Sequence, residues 1–483
     1  MEKVLIYGFL PWIKYVNITS LRPFSYRCEA PMERILLDKF EVWSKSKRRK
    51  SLILRGARQV GKTWFVRDAA KKLGYELVEL NFEERPGLSR CFKGSLEPKK
   101  LIENIEVALN IRLNSNSLLF FDEIQSCEEA YVSLKFFTDK MPDLPVVAAG
   151  SHLGILEQME NVSHPIGYVD TLTLYPMNLL EFVMAKRPHE ALIQGLSSND
   201  NLSEEIHGQL LEIYREYLYV GGLPECVGIW CEEASLLSRI EAVRETQTKL
   251  LNLYKSDFSK YHGKEALNLV ATWESIARQL HLSVNSNTKR FQFKGVLKGK
   301  KEYSQFSNHF QRLEASGLII RCPVVEQGTY PLKAHVKDSL FKSFYFDTGI
   351  LLCELDYSYQ ALEQGGDISY KGFLTENYVA MQLRQKYRDI YSFHTKSSEI
   401  EFLIQTTTSV LPVEVKNNNL KAKSLKHFID KYQIKAAVKL SNHPYFHQGV
   451  VANFPLYQVG LVREIGDEQG DPSASSSQRN KKS

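Results

Sequence analysis

The chain reads as an α/β protein built on a doubly wound parallel sheet, and three observations in its first half predict this. An apolar run, Leu52-Ile53-Leu54, turns through Gly56-Ala57-Arg58-Gln59-Val60-Gly61-Lys62-Thr63 into a stretch of helical character from Trp64 to Leu73. A second apolar run, Leu118-Leu119-Phe120-Phe121, ends in the acid pair Asp122-Glu123. Around these two, strand-like and helix-like segments alternate, as they do when parallel strands are joined by crossover helices.

The first turn is the most specific feature. Glycines at both ends let the backbone curl around an anion with its N–H groups inward, and the helix that starts at Gly61 adds the positive end of its dipole. Lys62 reaches β- and γ-phosphates, and the Thr63 hydroxyl suits Mg²⁺. Gly56, Ala57, Arg58, Gln59, Val60, Gly61, Lys62 and Thr63 together are the full Walker A pattern, and they are expected to bind ATP. The bland reading is an ordinary glycine turn before a helix, but strand, loop and helix here all agree with the phosphate cradle.

With 483 residues the chain is long enough for about three domains. A hydrophobic fraction of 43% and a charged fraction of 24% are those of a soluble globular protein. The net charge of +6 permits nucleic-acid binding without demanding it. Seven scattered cysteines with no C-x-x-C pair suggest neither a disulfide framework nor a zinc site, and a reducing, cytoplasmic setting fits best. No stretch approaches the ~20 apolar residues of a membrane span. Residues 1–31 only loosely imitate a signal peptide, because Pro11, Trp12 and Lys14 break the apolar run, and they read as an extension. The first real helix runs from Glu33 to Trp43.

In order, Tyr75–Asn81 alternates as a strand does and Leu101–Leu113 has helical spacing. The run Leu118–Phe121 is a central buried strand, the Walker B element. Asp122 at its end is placed to bind Mg²⁺ through water, and Glu123 to polarise the water that attacks the γ-phosphate. Glu128–Lys140 is a helix and Leu144–Gly150 the next strand. Ser151 then emerges at the carboxyl edge of the sheet, as a γ-phosphate sensor or as a simple turn serine. Thr171–Pro176 supplies a fifth strand.

At this point Gly-Ala-Arg-Gln-Val-Gly-Lys-Thr, Phe-Asp-Glu-Ile-Gln (121–125), Ala-Gly-Ser (149–151) and Leu-Tyr-Pro-Met-Asn-Leu-Leu-Glu-Phe (174–182) resemble the prokaryotic AAA-type ATP-binding proteins that carry a C-terminal domain of unknown function. Tyr-Val-Gly-Gly-Leu-Pro-Glu (219–225) and Phe-Asp-Thr-Gly-Ile-Leu (346–351) extend the resemblance over most of residues 33–466. It implies a P-loop ATPase sheet, a small helical region, a winged-helix-like segment and a restriction-endonuclease-like terminal domain. Members of that family tend to carry a basic residue after the glycine of a Pro-x-Gly segment, whereas Pro165-Ile166-Gly167 is followed here by Tyr168. If that basic group is a finger on the γ-phosphate, hydrolysis in this chain is slow or uses another arginine.

Helices at Leu202–Tyr217 and Val243–Tyr261, with the turn Gly221–Glu225 between them, resemble the lid of related ATPases. From Trp273 to Cys322 the order helix, basic linker, helix, strand resembles a winged helix. Its cluster Lys289, Arg290, Lys294, Lys298, Lys300 and Lys301 is either a DNA contact or a solvated loop. Beyond it, Lys371–Tyr387 reads as a helix, Ile390–His394 and Ile400–Ile404 as strands, and Leu411–Lys416 as a third, in which Glu414 and Lys416 share one face. Glu376, Glu401, Glu414 and Lys416 resemble the catalytic set of the PD-(D/E)xK nucleases, with Glu401 and Glu414 as ligands for Mg²⁺. The alternative is a strand with inward apolar and outward charged residues. His443 and His447 read as surface residues.

The expected organisation is an extension at 1–31, an AAA-type core at 32–178, a helical lid at 179–262, a winged-helix-like segment at 263–345, a nuclease-like α/β domain at 346–466 and a disordered tail at 467–483. The expected function is Mg²⁺-dependent ATP binding and hydrolysis coupled to a DNA-directed terminal domain. The competing expectation is a nucleotide-regulated switch with little turnover and a degenerate terminal domain.

Overall fold

A computed structural model describes residues 32–150, 165, 167–198, 202–232, 234–262, 265–283, 290–363, 368–395, 398–416 and 423–462. The expected N-terminal extension, Ser151, Lys289 and the expected disordered tail lie outside the described residues.

Five parallel strands form the first sheet: β1 Ser51–Arg55, β2 Glu76–Asn81, β3 Ser117–Asp122, β4 Val146–Ala149 and β5 Val169–Thr173, in the order β2-β3-β4-β1-β5. Among the described residues, four helices belong to this half: α1 Leu36–Lys45, α2 Lys62–Leu73, α3 Pro98–Leu109 and α4 Glu128–Lys140. The inner strands β1, β3 and β4 are buried on both faces, as a parallel sheet covered on both sides requires, while the edge strands β2 and β5 are partly exposed. Leu52, Leu54, Leu118, Phe120, Val147 and Ala149 point into one core with Phe40 and Phe65 from α1 and α2. The alternate residues Ile53, Leu119, Phe121 and Ala148 point into a second core with Leu101, Tyr131 and Phe137 from α3 and α4. α3 starts three residues before its expected position because Pro98 opens its first turn, and it stops at Asn110 in the left-handed conformation.

A run of helices follows: α5 Leu179–Ala185, α6 Glu190–Ser197, α7 Glu204–Val220, α8 Pro224–Trp230, α9 Leu236–His262, α10 Ala266–Ser283 and α11 Ser307–Ala315. The chain then builds a mixed sheet of eight strands. These are β6 Ile319–Val325, β7 Phe341–Tyr345, β8 Tyr391–His394, β9 Glu399–Gln405, β10 Val410–Val415, β11 Ala437–Ser441, β12 Phe446–Gln448 and β13 Val451–Pro455, in the order β12-β13-β11-β10-β9-β8-β6-β7. Helices α12 Thr348–Glu354, α13 Tyr359–Glu363, α14 Ile368–Lys386 and α15 Lys423–Tyr432 accompany it. β6 pairs antiparallel with β7 and parallel with β8, so strands on both sides of residue 345 belong to one sheet. The core that covers α1 and α2 continues through Trp273 and Tyr345, whose rings stack, to Phe402 and Leu440 in the second sheet.

Candidate nucleotide-binding site

The loop between β1 and α2 has the backbone its glycines foretell. Gly56 has φ +149°, and a Cβ there would stand 2.2 Å from the Leu174 carbonyl oxygen, so no side chain fits. Gln59 and Gly61 also have positive φ, at 63° and 90°. Lys62 is buried and donates to the carbonyls of Gly56 and Ala57, both at 2.9 Å. Burial lowers its ammonium to about 8, against the pull of Glu123 and Asp122.

Across the sheet, Thr63 Oγ1 donates to Asp122 Oδ2 at 2.9 Å, so the hydroxyl and carboxylate expected to share a cation do meet. Burial raises Asp122 to about 6, with the Thr63 hydrogen bond opposing. Asn81 Nδ2 donates to the same oxygen at 3.2 Å. Asn81 ends β2 in register with Asp122 at the end of β3, and the sequence reading missed it. Its signal was present: a polar residue at the carboxyl end of a strand, where the site of an open α/β sheet lies. Glu123 follows β3 in the left-handed conformation, φ 48°, an uncommon posture for a glutamate. Its Oε2 accepts from Gln125 Nε2 at 2.7 Å. Thr63 and Asp122 fit Mg²⁺, which commonly takes one or two protein oxygens and completes its octahedron with water and phosphate.

The loop is held from several directions. Arg34, also missed, is buried and donates through Nη1 to the Val60 carbonyl at 2.9 Å, through Nη2 to the Tyr175 carbonyl at 2.5 Å and through Nε to Glu181 at 3.3 Å. Arg58 pairs with Asp257 of α9 at 2.7 Å, and Tyr254 of the same helix donates to the Arg58 carbonyl at 3.0 Å. The Gly317 turn comes so near that a Cβ there would lie 3.1 Å from the Ala57 nitrogen.

The segment 174–182 is a junction, which gives its residues a physical meaning. The Pro176 carbonyl accepts from Gln385 of α14, Met177 N–H donates to Gly222 at 2.7 Å, and the Met177 carbonyl accepts from Tyr217 at 2.6 Å. Asn178 and Glu181 form a capping box at the start of α5. Gly222 N–H in turn donates to Asp347 at 2.7 Å, and Asp347 caps α12 by accepting from Ile350 N–H. The motifs at 219–225 and 346–351, far apart in sequence, are therefore two halves of one packed knot.

The second constellation converges on the eight-stranded sheet. Lys416, just past β10, lies 2.8 Å from Glu401 and 3.4 Å from Glu414. Glu401 also accepts from Val415 N–H at 3.1 Å. Glu376 does not meet Lys416 directly. It pairs at 3.3 Å with Lys342 of β7, which also holds Glu399 at 3.1 Å. Lys342 was missed, although a lone lysine inside Phe341-Lys342-Ser343-Phe344 was a visible anomaly. Glu401 and Glu414 are only 4% and 2% exposed, so β10 is not the solvent-facing strand of the bland reading. Burial raises Glu414 to about 9, helped by the charge of Glu401, while Glu401 is lowered through Lys416 and Lys342 despite its burial. Among the described residues, no group of three or more His, Cys, Asp or Glu side chains is arranged to hold a metal ion.

A parallel sheet in this order, with a phosphate loop after β1 and a hydroxyl-carboxylate pair joining the first turn of α2 to the end of β3, defines a P-loop ATPase fold of the AAA type. In agreement, residues 48–183 match the family model described as AAA domain. Residues 211–361 and 371–458 match models of two domains of unknown function, DUF8612 and DUF4143. No curated protein matches significantly. Among solved structures, a Walker-type ATPase of Pyrococcus abyssi is 15% identical with TM-score 0.41, covering 69% of this chain and 99% of its own. The Aeropyrum pernix ORC2 protein, solved as ADPNP-ADP complexes, is 13% identical with TM-score 0.33, covering 61% of this chain and 89% of its own. No helix among the described residues is long and apolar enough to cross a membrane.

Proposed function

We propose that the protein binds and hydrolyses ATP at the loop 56–63, and the observation that carries this is the 2.9 Å contact between Thr63 and Asp122. The N–H groups of the loop and of the first turn of α2 receive the phosphates, and Lys62 leaves the loop carbonyls to meet the β- and γ-oxygens. Mg²⁺ held by Thr63 and Asp122 would supply positive charge to the bridging phosphate oxygens. Glu123, steadied by Gln125, orients a water and takes its proton as the water oxygen bonds to the γ-phosphorus and the bond to the β-phosphate oxygen breaks. Two variants test this. Lys62→Ala should weaken ATP binding at least about tenfold, as loss of a charge-assisted contact does, and Glu123→Gln should retain binding while hydrolysis stops. Normal ATP affinity in Lys62→Ala would remove the foundation.

A slow switch is the second reading. Tyr168 is 43% exposed where a basic group is expected, Arg34 is turned onto backbone carbonyls, and Arg58 is engaged by Asp257. Steady turnover abolished in Glu123→Gln would argue against it.

For the terminal half, the meeting of Glu401 and Glu414 on Lys416, with Glu376 set apart on Lys342, supports a nuclease-like centre, and α14 links this half to the ATPase core. Glu376 sits on this helix, whose later residues Gln382 and Gln385 reach Tyr217 and Pro176. DNA is the partner that the basic loop fits. Arg290, Lys294, Lys298 and Lys301 are exposed on a loop pinned by Phe291, Phe293 and Phe341, and among the described residues none of the four has an ion-pair partner. Comparing ATPase rates with and without duplex DNA tests this link.

A further inference from the structure

Four acids and three lysines make up the charged cluster of the second sheet: two of the lysines hold ion-paired groups, and Lys439, buried on β11 in register with Glu414, adds its charge beside that acid. Lys416 holds Glu401 and Glu414, and Lys342 holds Glu376 and Glu399. Lys342 is 7% exposed, and its flexible stem rises from a strand whose five residues are all buried. An ammonium is buried in such a place only where carboxylates neutralise it. One acceptor is left over: Glu414 Oε2 is buried without a hydrogen-bond partner, on a side chain 2% exposed that belongs to the Lys416 group. An orphaned buried carboxyl oxygen has a lone pair that a cation would satisfy, so oxygens suited to a divalent ion are present. The remaining acids are occupied by lysines.

We propose that Lys342 is a resident counter-cation of this cluster: it holds Glu376 and Glu399 as its own ligands and keeps the protein from taking a divalent ion at Glu401 and Glu414. The inference rests on reading these acids as a cation site and assigns Lys342 a positioning role in it. A divalent ion entering beside Glu414 meets the ammonium as a like charge across a poorly screened interior, and it finds Glu376 and Glu399 already committed. Removing the ammonium leaves the cluster one negative charge richer.

The experiment measures Mn²⁺ binding to the full chain without nucleotide, from the paramagnetic resonance signal of the free ion. Wild type should bind at this cluster only weakly, in the millimolar range or above. Lys342→Met and Lys342→Gln should each tighten binding at least about tenfold, a gain that a single neighbouring charge in a partly screened interior readily supplies. Adding Glu414→Gln to either variant should remove the gain, which separates this cluster from the loop at 56–63, and Lys342→Arg should behave as wild type. Tight wild-type binding that Glu414→Gln abolishes would overturn the proposal even if every Lys342 variant failed to fold. So would a folded Lys342→Met with wild-type affinity. Plasmid nicking in Mn²⁺ is read in parallel. Tighter Mn²⁺ binding by Lys342→Met with intact plasmid supports the counter-cation role while refuting the nuclease reading.

Discussion

Replacing Arg34 by methionine tests whether the nucleotide loop is held in shape from outside itself. Arg34 and Glu181 form an ion pair in which both side chains are 4% exposed, and the same guanidinium donates to the Val60 and Tyr175 carbonyls. Removing one member of a buried pair costs about 3 to 5 kcal/mol, because a charge is left behind without compensation. Here Glu181 keeps amide donors from Ile35 at 2.8 Å and Asn178 at 2.9 Å. The loss should therefore fall at the low end, about 3 kcal/mol. Adding Glu181→Gln removes the stranded charge and should recover about 1 to 2 kcal/mol of it. Val60 would also lose its tie, so ATP affinity should fall about tenfold, as for one charge-assisted hydrogen bond. Urea unfolding of wild type, single and double variants, with ATP titrations of each, measures both effects. A stability within 1 kcal/mol of wild type, or an unchanged ATP affinity, would refute the claim that Arg34 sets the loop.

Gly56→Ala should destabilise the fold and weaken ATP binding together, since its Cβ would stand 2.2 Å from the Leu174 carbonyl oxygen; a cost below about 1 kcal/mol in thermal or urea unfolding would count against it. Asp347 is fully buried and raised from 3.8 to about 6 by burial, against hydrogen bonds from Gly222, Ile350 and Gly349. A raised acid binds more protons folded than unfolded, so wild type should lose stability as pH climbs from about 4 to about 6, and lose no more from this group above that. Asp347→Asn cannot titrate there, so the stability difference should shift towards the variant by up to about 3 kcal/mol over that window; a difference flat with pH would refute the assignment. On duplex DNA, the triple change Lys294→Gln, Lys298→Gln and Lys301→Gln should flatten the slope of log affinity against log salt by about 2 to 3. An unchanged slope would return the basic loop to a solvated surface.

What the sequence determined by itself was local. The turn at 56–63 was legible because glycine spacing, a preceding apolar strand and a following helix all act within a few residues of one another. The two faces of the first sheet were equally readable, since Leu52 and Leu54 against Ile53 follow from the alternation of a strand. Helix ends shifted by a few residues where Pro98 and Asn110 override periodicity.

The tertiary structure alone decided which distant residues meet. β4 inserts between β1 and β3, and strand order depends on crossover packing that no single segment encodes. Arg34 reaches Glu181, Gly222 reaches Asp347, and Lys342 gathers Glu376 and Glu399. Each is a buried polar group whose cost depends on what faces it, and that partner is fixed only when the chain has folded. A lysine in a buried strand therefore announces that a counter-charge exists; where the counter-charge comes from is written in three dimensions.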